Sequence, residues 1–313
     1  MISRARLAVW TLPLAYLLAG PFIHGGFWLN LMTLVLTYAV FAMSMDLLVG
    51  FAGMVSLGHA AFFGMGAYAT GILLELGWRS EYLVLPAALL VTALLALLLG
   101  RLSVGTSGVS FIMVTLALSQ LVYHVALNSP WTGSTDGLIL SQRPTLSPLP
   151  LNLEDPRHFY YYSLGWALIV LAGLRRLVDS PFGRVAQGIR VNESRMESLG
   201  YNTQRYQLTA FIIAGTLAGL GGHLFAILQN FIDPTSLTWQ VSGQVLVMVV
   251  LGGLGTLHGA ALGAFAFILL EQWISRYTQH WMLPLGVFLV AMVLSGRGGI
   301  MALLQRLTAR FRP

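Results

Sequence analysis

The chain has 313 residues, of which 57% are hydrophobic and 9% charged, with a mean hydropathy of +0.76 and a net charge of +6. A soluble domain of this length carries roughly 25% charged residues, so the composition excludes an ordinary globular enzyme. The absence of Cys excludes disulfides, thiolate nucleophiles and Cys-ligated metals, and the absence of Lys excludes a Walker A loop and Schiff-base chemistry in this chain.

Apolar blocks follow one another along the chain, and a block of about 20 apolar residues can cross a bilayer as a helix. The blocks show no period-2 alternation, so helices rather than a β-barrel are expected. Ser3-Arg4-Ala5-Arg6 precedes a first block at 7–23 that reads as an uncleaved first helix. Further blocks fall at 28–48, 59–77, 82–99, 108–127, 159–174, 208–228, 241–256, 258–275 and 282–296. The expected fold class is therefore all-α, a polytopic helical bundle of about ten spans forming one membrane domain over 1–313. The eighth and ninth blocks are short, Gly-rich and nearly contiguous, so one of them is expected to be broken or re-entrant.

Placing the N-terminus in the cytosol and alternating puts thirteen of the 17 basic residues inside and four outside, as the positive-inside rule requires. Both termini are then expected in the cytosol. Two loops are large. The stretch at about 128–158, rich in Pro, should lie outside, and the stretch at about 175–206, with six Arg, should lie inside.

The inner loop has local order of its own. Ser180-Pro181 reads as a capping residue followed by proline at the first helical position. Phe182, Val185, Ala186 and Ile189 then form one apolar stripe, with Arg184, Gln187 and Arg190 off it. Asn192 can cap a second short helix running through Leu199, which Gly200 can end in the left-handed conformation. Two separately capped helices suit a docking platform. They also suit an interfacial pair lying on lipid headgroups.

The run GRVAQGIRVNESRMESLGYNTQRYQLTAFIIAGTLAGLGGHLF at 183–225 resembles the cytosolic loop and following helix of the branched-chain amino-acid ABC permeases of the LivM type. DLLVGFAGMVSLGHAAFFGMGAY at 46–68, FIMVTLALSQLVYHVALNSPWTGSTDGL at 111–138 and VLVMVVLGGLGTLHGAALGA at 245–264 are similar to the same family, in the same order. Asp46 stands where the family often has Asn, Met54 where it often has Gln, and Ser295-Gly296-Arg297-Gly298-Gly299 lacks the usual Pro. The resemblance implies a type II-like ABC permease subunit of a bacterial inner-membrane importer for branched-chain or other apolar amino acids, working by alternating access. It implies a second homologous permease, two ATP-binding subunits that carry the ATP and Mg, an extracytoplasmic solute-binding protein and surrounding lipid as partners. No cofactor is expected on this chain, and no nucleic acid. Gly183, Arg184, Gly188, Arg190, Asn192, Glu193, Leu199 and Gly200 would form the loop that couples to the ATPase.

Small-xxx-small pairs recur at Gly215, Ala218, Gly219 and Gly222, at Gly255, Gly259 and Gly263, at Ala60 with Gly64, and at Ala67 with Gly71. These suit close helix packing in lipid. Gly53, Ser56, Leu57, Ala60 and Ala61 echo Gly253, Thr256, Leu257, Ala260 and Ala261 at an offset of 200. The expected topology makes the two segments parallel, whereas a five-plus-five duplication would be inverted. Ser56, Gly58, His59, Gly255 and Thr256 are candidates for a translocation pathway, where helix breaks expose backbone donors and acceptors, although His59, Asp46 and Gln120 could equally cap helices. His124, His223, His258 and His280 have no ligand spacing, so no metal site is expected. Other readings are a permease for urea, short amides or another small solute, an ion-driven carrier using Asp46 and Glu271, and an intramembrane serine protease. The last would rest on Gly105-Thr106-Ser107-Gly108, similar to the rhomboid motif, with His258 as base.

Overall fold

The computed structural model describes residues 25–146 and 152–280, with 282–284, 286–287, 290 and 299–301. The first expected span, 7–23, lies outside the described residues, as does most of the tenth, 282–296. Between them the chain is a bundle of α1 (Gly26–Asp46), α2 (Ala60–Glu75), α3 (Glu81–Ser103), α4 (Gly108–Asn128), α5 (Pro156–Asp179), α6 (Pro181–Val191), α7 (Glu193–Ser198), α8 (Thr203–Gln229), α9 (Trp239–Gly252) and α10 (Leu257–Ser275). Five segments are long and apolar enough to cross a membrane: Gly26–Ala52, Glu81–Ser103, Gly108–Asn128, Thr203–Gln229 and Leu257–Ser275. The chain is thus an all-α, multi-pass membrane protein.

The connections sort to two ends. At one, the arginine-rich end, the 53–55 segment, the start of α4, the α6–α7 pair and the α9–α10 turn converge. At the other, residues 138–145 of the connection between α4 and α5 are pinned down. Its strand β1 (Leu138–Ile139) pairs antiparallel with β2 (Phe231–Ile232), and Arg143 donates to Asn230 Oδ1 (2.9 Å) and to the Leu153 carbonyl (2.8 Å). Burial holds the Arg143 guanidinium below its ordinary pKa.

Two helices start in the middle of the bundle rather than at an edge. After α1 the backbone widens into a π-helix, Leu47–Ala52, and ends at Gly53 with φ +74°. Residues 54–59 then turn back into the bundle without helical bonding, and α2 begins only at Ala60. On the opposite side, a 3-10 turn at Pro234–Leu237 dips inward after β2, and its Leu237 carbonyl accepts from Ser119 Oγ (3.2 Å), midway along α4. The N-termini of α2 and α9 meet there, the Ala60 N–H donating to Ser242 Oγ at 2.8 Å. From this point α2 runs to the far end and α9 to the arginine-rich end. The break expected in the eighth or ninth block falls in the eighth: α9 is a 14-residue helix entered through irregular backbone, whereas α10 is an unbroken 19-residue helix, and a second irregular entry precedes α2. Such backbone is tolerated at this depth because protein buries it, and Ser56 and His59 are fully buried.

α1 with α2 and α8 with α9 are counterparts of opposite direction. In each pair a long helix is followed by an irregular segment and a half-helix. α2 packs on α8 as α9 packs on α1, and α3 on α8 as α10 on α1. Small residues permit these approaches. A Cβ on Gly66 of α2 would overlap the Gly219 carbonyl of α8, and one on Gly222 would overlap the Phe63 carbonyl. In lipid, where apolar transfer does not drive association, such backbone contact supplies the packing.

Candidate functional site

The arginine-rich platform is built from two helices with side-chain caps. Ser180 Oγ accepts from the Gly183 N–H (3.4 Å), and Asn192 Oδ1 accepts from the Arg195 N–H (3.0 Å). Val185, Ala186 and Ile189 are buried, while Arg184 and Arg190 lie off that stripe. Gly183 is crowded by the Leu177 and Val178 carbonyls at the end of α5, and Gly188 by Met196 of α7, so each admits a neighbouring element that a side chain would displace. Gly200 ends the pair with φ +88°, its N–H on the Glu197 carbonyl (2.8 Å).

The remaining loop residues divide by what they touch. Among the described residues Arg184 donates locally, to the Asp179 carbonyl (2.9 Å). Glu193 accepts from Gln207 of α8 (3.0 Å), and Glu197 from Thr203 (2.9 Å), which seats α7 on the start of α8. Leu199 is 67% exposed and Val191 85%, apolar side chains presented outward on an otherwise polar loop.

Arg190 reaches furthest. Its Nη1 donates to the Gly50 carbonyl in the π-helix, and its stem lies over Gly53. One turn earlier, Asp46 is fully buried, and its Oδ1 accepts from the Gly255 N–H at 2.8 Å. A Cβ on Gly50 would run into both Asp46 Oδ1 and Gly255. The platform, the π-helix and the α9–α10 turn are thus joined at one point, Arg190–Gly50–Asp46–Gly255. Short π-helices within a helical run are frequently found at functional sites.

The candidate pathway residues separate. Gly255 and Thr256 belong to the joint just described, with Thr256 Oγ1 bonded back to the Gly253 carbonyl (2.5 Å). Ser56, Gly58 and His59 lie deeper. Ser56 Oγ accepts from the Gly58 N–H (3.2 Å), and His59 Nε2 meets Ser44 Oγ (2.9 Å) while its ring stacks on Phe41 at 5.7 Å. None of these three lines the cavity of about 460 Å³ at the arginine-rich end, which is bounded by Gly53, Val55, Ser107, Phe111, Arg190 and Gln207 among others.

One buried group escaped sequence reasoning. Glu81, 2% exposed, accepts from Tyr162 and pairs with His223 Nε2 at 2.8 Å, and His223 Nδ1 meets Thr70 Oγ1 at 2.9 Å. This cluster ties α2, α3, α5 and α8 near the far end. Glu81 stands at the edge of an apolar block, where a carboxylate ordinarily faces water, and that concealed it.

A multi-pass bundle with paired half-helices, and a separately capped helix pair joined to them at one end, has the form of a membrane transport subunit. Residues 27–296 match the model of the family described as the permease component of the branched-chain amino acid transport system, and the chain belongs to that ABC permease family. It is 30% identical over 298 residues to the high-affinity branched-chain amino acid transport system permease protein LivM of Escherichia coli K12, covering 88% of this chain and 70% of that one. The LivM protein of Salmonella typhimurium gives the same figures. The autoinducer 2 import system permease protein LsrC of Escherichia coli DH10B is 28% identical over 212 residues, 64% of this chain and 58% of the relative. No solved structure matches the chain.

Proposed function

We propose that the chain is the permease subunit of an ATP-driven importer for branched-chain or other apolar amino acids in a bacterial inner membrane. In this reading it crosses the membrane ten times, with 7–23 and 282–296 as the first and last spans and both termini in the cytosol. The arginine-rich end is then cytosolic, as the arginine count favours. A second homologous permease completes the pathway, two ATP-binding subunits carry the ATP and Mg, and a solute-binding protein docks at the far end.

The observation that carries this reading is the joint at Arg190. A loop that merely connects α5 to α8 has no use for two capped helices with a guanidinium anchored on the Gly50 carbonyl. A platform that must move the spans does. Closure of the ATP-binding pair would push α6 and α7, and the π-helix and the α9–α10 turn would move with them, shifting the population between outward-open and inward-open states. The amino-acid cargo is favoured by the greater coverage of the LivM relatives than of LsrC.

The test is gentle purification of the tagged chain from its native host, with mass spectrometry of what accompanies it, followed by uptake of labelled leucine by the recovered assembly. Recovery of ATP-binding subunits and a second permease, with ATP-dependent leucine uptake, is the expected result. A chain that repeatedly purifies without nucleotide-binding subunits would overturn the reading in favour of an ion-driven carrier.

A further inference from the structure

Two polar groups at the arginine-rich joint are incompletely bonded. Arg190 carries five N–H donors, yet among the described residues its one hydrogen bond is to the Gly50 carbonyl, in the last turn of the π-helix. Asp46 is fully buried one turn earlier. The Gly255 N–H holds its Oδ1 (2.8 Å), with a lesser contribution from the Thr256 N–H. Its Oδ2 has no hydrogen-bond partner among the described residues. A buried carboxylate oxygen is costly to leave unpaired, because nothing offsets its loss of water. The Arg190 guanidinium stands close enough for its charge to act on this carboxylate, but it donates to Gly50 instead. Two glycines occupy the gap between them. A Cβ on Gly50 would run into Asp46 Oδ1 and the Gly255 backbone, and one on Gly255 would lie 3.1 Å from the Gly50 carbonyl oxygen and 3.4 Å from Arg190 Nη1.

We propose that Arg190 has two acceptors, the Gly50 carbonyl that it holds here and the free Oδ2 of Asp46, and that exchange between them is a two-position latch joining the platform to the spans. Opposing effects keep the two positions close in free energy. A guanidinium gains more from a carboxylate than from a neutral carbonyl, but reaching Asp46 takes it out of water and into the bundle. Asp46 precedes Gly50 on a chain that is running toward the arginine-rich end, so it lies deeper. Exchange therefore draws the end of α6 inward by at most one helical turn, about 5 Å. The Gly255 bond to Oδ1 is kept in both positions, so the α9–α10 turn stays attached to α1 while the platform moves. The exchange belongs to this chain alone, and only its use in transport rests on the permease reading above.

The chain has no Cys, so two introduced ones take nitroxide labels at unique sites. Val191→Cys, at the exposed end of α6, and Val125→Cys, on the exposed face of α4 toward the far end, serve as the pair. Pulsed electron spin resonance on the full chain in nanodiscs, with no ATP-binding subunit, then reads the distance from platform to spans. Two populations are expected, separated by no more than about 5 Å. Asp46→Asn keeps an acceptor for Gly255 and removes the charge. It should lower the shorter-distance population about tenfold relative to the longer one, the difference between a charge-assisted and a neutral hydrogen bond. Arg190→Met should also empty the shorter-distance population, which keeps the test in force if the Asp46→Asn chain fails to fold. With Arg190→Met already present, Asp46→Asn should change nothing further. A distribution unmoved by Asp46→Asn, a shorter-distance population that survives Arg190→Met, or an Asp46→Asn effect of the same size with and without Arg190 would each overturn the latch. No partner subunit enters the measurement, so failure of the latch and failure of the permease reading are distinguishable.

Discussion

Arg190 offers the sharpest test of the proposal that motion passes from the platform to the spans. Its guanidinium donates to the Gly50 carbonyl, a charge-assisted bond worth about 1.5–3 kcal/mol. At about 1.4 kcal/mol per factor of ten, that corresponds to a shift of roughly 10- to 100-fold in an equilibrium. If the bond holds in one conformational state and breaks in the other, its removal changes the balance between them by that factor. Arg190→Ala should therefore lower the ratio of solute-stimulated to basal ATPase activity, in proteoliposomes with the partner subunits, by about tenfold or more. Arg190→Met keeps the apolar stem over Gly53 and removes the donor, so it should behave like the alanine variant. Arg190→Lys, which keeps charge on a different donor geometry, should fall between. Alanine and methionine variants that both hold the ratio within about twofold of wild type would refute the joint as the route of coupling.

Other substitutions probe the remaining contacts. Arg184→Ala with Glu193→Ala removes one local bond and one bond to Gln207. The pair should cost no more than about 2 kcal/mol of stability, leave membrane insertion intact, and reduce stimulated ATPase activity several-fold. Unchanged stimulation would show that α6 and α7 dock through other side chains. Glu81→Ala leaves His223 and Tyr162 without their shared acceptor, and breaking a buried pair this way costs about 3–5 kcal/mol. Thermal unfolding in detergent should therefore occur well below wild type, and an unaltered midpoint would mean the cluster carries no net stability. Gly66→Val places a branched side chain against the Gly219 backbone. It should destabilise by about 1–3 kcal/mol or more through overpacking, measured as loss of monodisperse protein on gel filtration. If the Gly66→Val protein stays monodisperse, α2 and α8 are not closely packed.

The platform was legible in the sequence because its signals are local. Ser180-Pro181, Asn192 and Gly200 mark caps and stops, and the stripe of Val185, Ala186 and Ile189 marks the buried face. The half-helices were legible only in part. The blocks at 28–48 and 59–77 leave 49–58 between them, and Ser56, Gly58 and His59 read as a helix break, but nothing local shows that this segment turns back to the middle of the bundle, where Thr115, Ser44 and Ser242 meet it. The echo at offset 200 is matched in the backbone, since Gly53 and Gly253 both take positive φ after a helix end. It pairs two turns of the same sense, however. The inverted counterparts, α1–α2 and α8–α9, share length and burial, in opposite directions, instead of residues, and apolar composition alone satisfies those requirements. The joint at Asp46 was half-visible, because an acidic residue at a span end draws notice but its partner Gly255 lies 209 positions away.

The half-helices also bear on how the protein is made. α2 has 16 residues and α9 has 14, so at about 1.5 Å per residue they reach roughly 24 Å and 21 Å. Both fall short of a hydrocarbon layer of about 30 Å. Neither can be released into lipid by the insertion machinery as a finished span, because irregular backbone at its inner end would meet hydrocarbon. The backbone surface that seats α2 belongs to Gly219 and Gly222, synthesised far later in the chain. During synthesis α2 must therefore wait, shielded by neighbours or by the translocation apparatus, until α8 arrives. Maturation of the core is a late event, and a chain cut before α8 would leave α2 with no seat in the membrane.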